Sequence, residues 1–241
     1  MKARTLLLLS ADIAGATAYK EAHSAGDTTP EWLLPFTAFF REAPAVLMGK
    51  LALAFIEYDD LPALRVWRVA GDEIIFLAEP RNAAEALGIV EAFAAMVADY
   101  NARLADLHGL YLRGGAWAAP IGTQNIEIEI LEIPSATEAG EAYKEYVGPD
   151  VDSGFRLLKN APNGHIVLSL KLAAALAAGG CLGQLCIGHV DNQPLRGLFG
   201  GKPYPILIAG KGTLDCGALI ALEENFIATF ARRPQVLRFS S

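Results

Sequence analysis

Cysteine is scarce here and follows no pattern. The three, Cys181, Cys186 and Cys216, form no Cys-x-x-Cys pair and have no histidine-rich partner segment. An odd, unpatterned set argues against a disulfide framework and reads as reduced thiols in a reducing, cytoplasmic setting. Histidine is equally sparse: His23, His108, His165 and His189 lack metal-ligand spacing. No serine–histidine–aspartate or nucleophilic-cysteine pattern occurs. An excess of basic charge is missing too. The formal net charge is −7 and no basic run interleaves with aromatics, so nucleic acid is not the expected partner. Long apolar runs are also absent. The run in "MKARTLLLLSADIAG" ends at Asp12 and is too short for a signal core. "APAVLMGKLALAF" is broken by Lys50 and falls short of the ~20 residues a membrane span requires. No membrane partner is expected. Repeats, low-complexity tracts and linkers are lacking, so residues 1–241 read as a single domain.

What is present is apolar residue, at 53% of the chain, enough for a large core. "TLLLLSADIA" reads as a buried central strand. Residues 30–57 carry helical spacing, with Pro30 near the start and Pro44 as an interruption. "VWRVAGDEIIF" reads as a hairpin with Gly71-Asp72 at its tip. "RNAAEALGIVEAFAAMVADYNARLADLHG" is a long amphipathic helix closed by Gly109. "LYLRGGAWAAP" is a strand whose Gly114-Gly115 signals close backbone approach. "NIEIEILEI" alternates as a half-exposed strand. After a polar stretch over 134–142 come a strand end, a Gly-Pro turn, a helix and a further strand, through "YKEYVGPDVDSGFRLLKNAPNGHIVLS". "LKLAAALAAGG" is a helix, and the remainder reads as short strands with Gly-rich turns. The order β-α-β-β-α-β gives an α/β (α+β) sandwich of split-βαβ character with a mostly antiparallel sheet.

In that arrangement the end of the first strand lies beside the hairpin tip. Asp12 and Asp72 then converge from distant parts of the chain. An acid at a turn is commonly a solvated turn residue. Two that meet unpaired raise each other's pKa, and a divalent ion removes that cost. Carboxylate, water and substrate phosphate are the ligands that Mg²⁺ or Mn²⁺ take.

Four segments in order, "SADIAGATAYK", "WRVAGDEIIF", "LRGGAWAAPIG" and "YVGPDVDSGFRLLKNAPNGHIVLS", resemble the class III nucleotidyl cyclases over about residues 5–170. The hairpin alone also resembles that of diguanylate cyclases, but Ala70 stands where their first Gly does. The class III resemblance implies two divalent metal ions, Mn²⁺ or Mg²⁺, held by Asp12, the Ile13 carbonyl and Asp72. It implies a base read by Arg68 and Glu145. Adenylate cyclases carry Lys with Asp or Thr at those places, and guanylate cyclases carry Glu at the first. Arg68 offers donors to carbonyl oxygens and Glu145 an acceptor for a ring N–H or amine, which suits uracil or cytosine; a plain Arg68–Glu145 ion pair is the alternative. The family's catalytic Asn and Arg fall on Asp152 and Arg156. Arg156 keeps the cation; Asp152 either orients it, binds a ribose hydroxyl, or forms an ordinary i,i+4 pair. Thr17 is placed to cap the helix after the metal loop. Lys202 and Lys211 lie near the family's triphosphate-binding lysine.

"GPDVDSGFR" with "WRVAGDE" and "GGAWAA" is most similar to the bacterial pyrimidine cyclases of anti-phage signalling. That resemblance implies a cyclase making cyclic UMP, or else cyclic CMP, from the nucleoside triphosphate. It also implies a homodimer with shared active sites and a separate effector that senses the product. A purine or diguanylate cyclase, or an inactive nucleotide-binding scaffold, are the rival readings.

Overall fold

The computed structural model describes residues 4–24, 29–122, 124–134, 142–230, 236–237 and 239. Most of the polar stretch over 134–142 lies outside the described residues.

The leucine run builds β1 (Arg4–Ala14), which extends two residues past Asp12. A short helix α1 (Ala16–Ala22) follows, then α2 (Leu33–Ala54). The hairpin is β2 (Leu64–Ala70) and β3 (Glu73–Ala78), with Gly71 and Asp72 as its turn. Helix α3 (Ala83–His108) is capped at both ends: the Asn82 side chain accepts from the Glu85 N–H, and Gly109 closes it at φ 63°. Then come β4 (Tyr111–Ile121), β5 (Ile126–Pro134), β6 (Ala142–Val147) and α4 (Pro149–Leu157). The chain ends with β7 (Ile166–Leu168), α5 (Leu170–Ala178), β8 (Ile187–Pro194), β9 (Pro203–Ala209) and α6 (Cys216–Ala228).

Seven strands form one sheet in the order β2-β3-β1-β4-β7-β9-β8, and β5-β6 pair separately. The β4–β7 pair is parallel; the other paired strands are antiparallel. This is the expected mostly antiparallel α/β fold, with β1 near the centre. The period-2 geometry of β1 splits its side chains between two cores. Leu7, Leu9, Ala11 and Ile13 pack with Phe39, Phe93 and Met96 of α2 and α3. Leu6 and Leu8 face Trp67, Trp117, Tyr146 and Val151 on the other side. Ser10 and Asp12 fall on that second face by alternation.

Two expectations are corrected. Pro44 does not interrupt α2. A proline inside a helix costs about 3 kcal/mol. The stripe Phe36, Phe39, Ala43, Leu47 and Leu51, buried on both sides of it, outweighs that cost. The segment after β9 is a helix, not strands and turns. Asp215 caps it by accepting from the Ala218 N–H at 2.8 Å, and Leu219, Glu223 and Ile227 repeat at helical spacing on its buried side.

Helix α4 lies directly on Trp117, and a glycine permits this. A Cβ at Gly154 would stand 2.0 Å from two atoms of the indole ring. Gly154→Ala gains up to ~1 kcal/mol of helix propensity but overpacks a buried ring. The expected outcome in a urea melt is a net loss of roughly 1–3 kcal/mol.

Candidate active site

The site lies where β1, β3 and β4 meet at the hairpin tip. Asp12 faces Glu73 of β3 on one side and Arg113 of β4 on the other. The tip is bound to the strand end: the Ile13 N–H donates to the Asp72 carbonyl at 3.2 Å. The strand end at Asp12 and Ile13 and the hairpin tip at Asp72 are thus brought together, as the strand order led us to expect.

Arg113 was not expected there. Its Nε and Nη2 both lie 2.8 Å from Asp12 Oδ2. Asp12 is therefore an ion-paired carboxylate in this chain. Burial still pushes its pKa above the usual range; the Arg113 guanidinium opposes this and the Asp72 charge adds to it. Glu73 also sits above its usual range, chiefly from burial, with Asp12 and Asp72 adding to the shift. The Ser10 hydroxyl donates to Glu73. Strand alternation would have found Arg113, because Arg113 and Trp117 share one face of β4, but only once β4 was registered against β1.

The donor set fits a divalent ion of the hard, oxygen-seeking kind. Two carboxylates of one charge converge within electrostatic reach, and a backbone carbonyl is adjacent. Among the described residues no group of three or more His, Cys, Asp or Glu side chains forms a cage. Mg²⁺ and Mn²⁺ sites that handle phosphates use one or two carboxylates and leave the other positions to water and substrate.

A second cluster occupies the same side of the sheet. Arg68 pairs with Glu145 of β6, as the ion-pair alternative requires. Its guanidinium also lies over the Trp67 ring, 4.5 Å from the centroid. The Tyr143 hydroxyl donates to Glu145 Oε2 at 3.0 Å, and the Tyr146 N–H donates to Oε1 at 3.0 Å. Burial works to lower the Arg68 pKa, but Tyr143 and Glu145 carry it above its ordinary value. Trp67 is fixed in turn by a 2.9 Å bond to the Lys144 carbonyl and an edge contact with Tyr146.

Other expected residues sit elsewhere. Helix α4 is anchored by buried Asn125, which accepts from the Asp150 N–H at 3.0 Å and donates to the Pro120 carbonyl at 3.0 Å. Lys171 adds a 2.6 Å contact to Asp150. Among the described residues Arg156 forms no ion pair with Asp12 or Asp72. It donates from Nε to the Arg196 carbonyl at 2.7 Å and from Nη1 to the Asp152 carbonyl at 3.0 Å. Its link to Asp152 is therefore through the backbone carbonyl. Arg196 follows β8, whose final residues pair with the start of β9, at the sheet end opposite Asp12. Thr17 does not cap α1: the cap is Gly15 at φ 77°, and Thr17 is exposed inside the helix. A glycine is required there because the chain turns sharply through a left-handed conformation after β1. Lys202 and Lys211 flank β9 at opposite ends. Ala209, two residues before Lys211, is level with Ile166 and hence with Gly114 beside the Asp12 end. Lys202 precedes the strand at the far end and lies over the Phe230 ring at 4.4 Å.

The β5-β6 pair leaves apolar side chains exposed. Ile126, Ile128, Leu131 and Val147 are exposed, together with Val69 of the hairpin. Glu127 instead points inward to Arg4 of β1. Burial opposes its charge, but Arg4 holds its carboxyl below the usual range.

No protein-family model matches this chain, and no curated protein matches it in sequence. Solved structures do match in fold. The guanylate cyclase domain of RhGC from Catenaria anguillulae, in complex with GTP, superposes with a TM-score of 0.56 at 13% identity, covering 87% of this chain and 98% of that one. The catalytic core of a rhodopsin-guanylyl cyclase with converted specificity, in complex with ATPαS, gives 0.55 at 12%, covering 86% and 95%. The adenylyl cyclase CyaB from P. aeruginosa gives 0.55 at 14%, covering 89% and 97%. The fold is that of class III cyclase catalytic domains. No helix among the described residues is long and apolar enough to cross a membrane.

Proposed function

We propose that this chain is a class III nucleotidyl cyclase that converts a pyrimidine nucleoside triphosphate, UTP in preference to CTP, to its 3′,5′-cyclic monophosphate and pyrophosphate. The observation that carries the reading is the junction of Asp12, Asp72 and Arg113 at the end of β1, on a cyclase fold. It places acidic oxygens beside a guanidinium, as a metal-bound triphosphate requires.

Asp12, the Ile13 carbonyl and Asp72 would hold two divalent ions, which supply charge neutralisation on the phosphates and a lowered pKa for the attacking hydroxyl. The ribose 3′-oxygen bonds to the α-phosphorus, the bond to the β-phosphate bridging oxygen breaks, and the hydroxyl proton leaves to solvent. Arg113 is placed to take phosphate charge once it parts from Asp12. Arg156 supplies a second guanidinium for charge developing at the α-phosphate, with Asp152 orienting it, and Lys211 reaches the phosphate tail. Thr17, exposed at the metal loop, is a substrate contact in this reading.

Two copies complete each site. The exposed Ile126 and Ile128 of β5 support association, because exposed apolar patches mark interaction surfaces. The placement of Arg156 away from its own Asp12 supports a site shared between subunits. The homodimer, a cytoplasmic location and a second-messenger role in antiviral defence, sensed by a separate effector, follow from the motif resemblance.

The test is direct. The pure chain is incubated with each of the four ribonucleoside triphosphates and Mn²⁺, and products are identified by mass. Cyclic UMP is expected as the main product. Cyclic AMP or GMP as the main product rules out the pyrimidine reading, and no cyclic product from any triphosphate rules out the cyclase.

A further inference from the structure

A cavity lies away from Asp12, on the helical side of the sheet. Its lining includes Ala118 of β4, which is level with Leu7, five residues before Asp12, and belongs to the core under the helices. Leu170 of α5 and Phe226 and Ile227 of α6 add apolar wall. At about 40 Å³ the space admits roughly three water-sized groups. Its polar end is rich in donors. The Tyr204 hydroxyl oxygen accepts from the Leu170 N–H at 2.8 Å, and among the described residues nothing accepts its proton. Burial pushes this phenol far above its ordinary pKa, so it stays a donor. Ser169, 2% exposed, is in the same position: its oxygen accepts from the Leu172 N–H at 3.2 Å, and its proton goes to no described residue. The ammonium in the lining, Lys171, is already bound to Asp150 at 2.6 Å, so it is not there for an anion. Phe199, in the loop between β8 and β9, closes one side. Its ring stacks on Tyr204, with centroids 5.0 Å apart at 22°. Among the described residues it is the one non-glycine with a positive φ, 51°, which is strained for a bulky side chain. Gly197, Gly200 and Gly201 around it also have positive φ and serve as hinges.

We propose that this cavity binds a small, uncharged aromatic carbonyl compound, whose ring takes the place of the Phe199 ring on Tyr204 and whose oxygen receives the Tyr204 and Ser169 protons. The closed space is too small for a ring, so Phe199 swings out on binding. The strain it already carries lowers the cost of that move. The ligand ring then regains the stack on Tyr204 and the edge contact with Phe226 that Phe199 makes. Two neutral donors favour the carbonyl over a hydrocarbon of the same shape by about 5- to 10-fold. Asp150 and Ser153 of α4 also line the cavity, so an occupant touches the helix that carries Arg156. Binding there does not depend on the reaction at Asp12.

Acetophenone, ethylbenzene and benzoate are titrated into the full chain, without nucleotide or metal, and followed by NMR. Acetophenone should bind. Ethylbenzene, which lacks the oxygen, should bind about 5- to 10-fold more weakly, and benzoate more weakly still. Phe199→Gly removes the ring and keeps a residue that tolerates positive φ, so acetophenone should bind at least ~10-fold more tightly. Tyr204→Phe should bring acetophenone to within about twofold of ethylbenzene. Ile227→Trp should fill the cavity and abolish binding of both. Circular dichroism checks that each variant is folded; where Tyr204→Phe or Ile227→Trp is not, the wild-type ranking and Phe199→Gly decide. No binding of acetophenone to the wild type overturns the site. Equal affinity for acetophenone and ethylbenzene, or tightest binding of benzoate, overturns the ligand class. Acetophenone affinity unchanged by Phe199→Gly, or surviving a folded Ile227→Trp, places the compound elsewhere and overturns the site as well.

Discussion

Asp72→Ala should abolish cyclic nucleotide formation, by at least ~10³-fold in kcat/KM, while the chain keeps its fold and gains stability without metal. Asp72 is half-buried at the hairpin tip, and its charge raises the pKa of both Asp12 and Glu73. A carboxyl raised in the folded state holds extra protons there between its unfolded and folded pKa values. Stability contributed by those protons is present at low pH and is lost as pH rises through that window. Removing Asp72 narrows the window, so the mutant should lose less stability than the wild type as pH rises through and above the ordinary carboxylate range. Asp12→Ala should be equally inactive but should behave oppositely in stability. It strands the Arg113 guanidinium, whose side chain is 27% exposed, at a cost of roughly 1–3 kcal/mol. Thermal melts in a chelator, run beside activity assays in Mn²⁺, read both effects. Near wild-type turnover in either mutant would show that these carboxylates do not carry the reaction, and equal stability changes in the two would contradict the Asp12–Arg113 pair.

The contrast between those two acids marks what was legible in the sequence. Turn chemistry announced the hairpin at Gly71-Asp72, and the length of the leucine run placed Asp12 at its end. Both signals are local. The stop of α3 at Gly109 was local as well. The Arg113 contact was hidden because it spans 101 positions and depends on the register of two strands. The exposed isoleucines of β5 were ambiguous for a related reason. An alternating strand has two faces, and only the Arg4–Glu127 contact decides that Glu127 turns inward. The filled acceptors of Glu145 depend on Tyr143 and Tyr146, which the spacing gave no reason to single out. Helix α6 was missed because Gly212 and Gly217 bracket its cap at Asp215 and make the segment read as turns.

Mixing two inactive chains should restore activity. The geometry within one chain motivates this. Gly154 of α4 lies on Trp117, which pairs with Leu8, four residues back from Asp12 and so about 13 Å along β1. From there Arg156 bonds toward Arg196, beyond the opposite end of the sheet. Among the described residues the hydrogen bonds of Arg156 go to the Arg196 and Asp152 carbonyls and none to Asp12 or Asp72, which favours a second chain as the source of the cation at each site. In the proposed homodimer a two-fold partner would place a second copy's Arg68, Glu145 and Arg156 opposite Asp12 and Asp72, and each dimer would then hold two equivalent sites. Asp72→Ala spoils the site that uses its own acids, and Arg156→Ala spoils the site to which it lends the cation. In a mixed dimer both lesions fall in one site and leave the other intact. Equal amounts that exchange at random give about half mixed dimers, so activity should return to roughly a quarter of the wild-type value per chain. Exchange is followed independently with differently tagged chains and native mass spectrometry. A mixture that demonstrably exchanges subunits yet stays inactive would refute the shared site and require one chain to bring Arg156 to its own carboxylates.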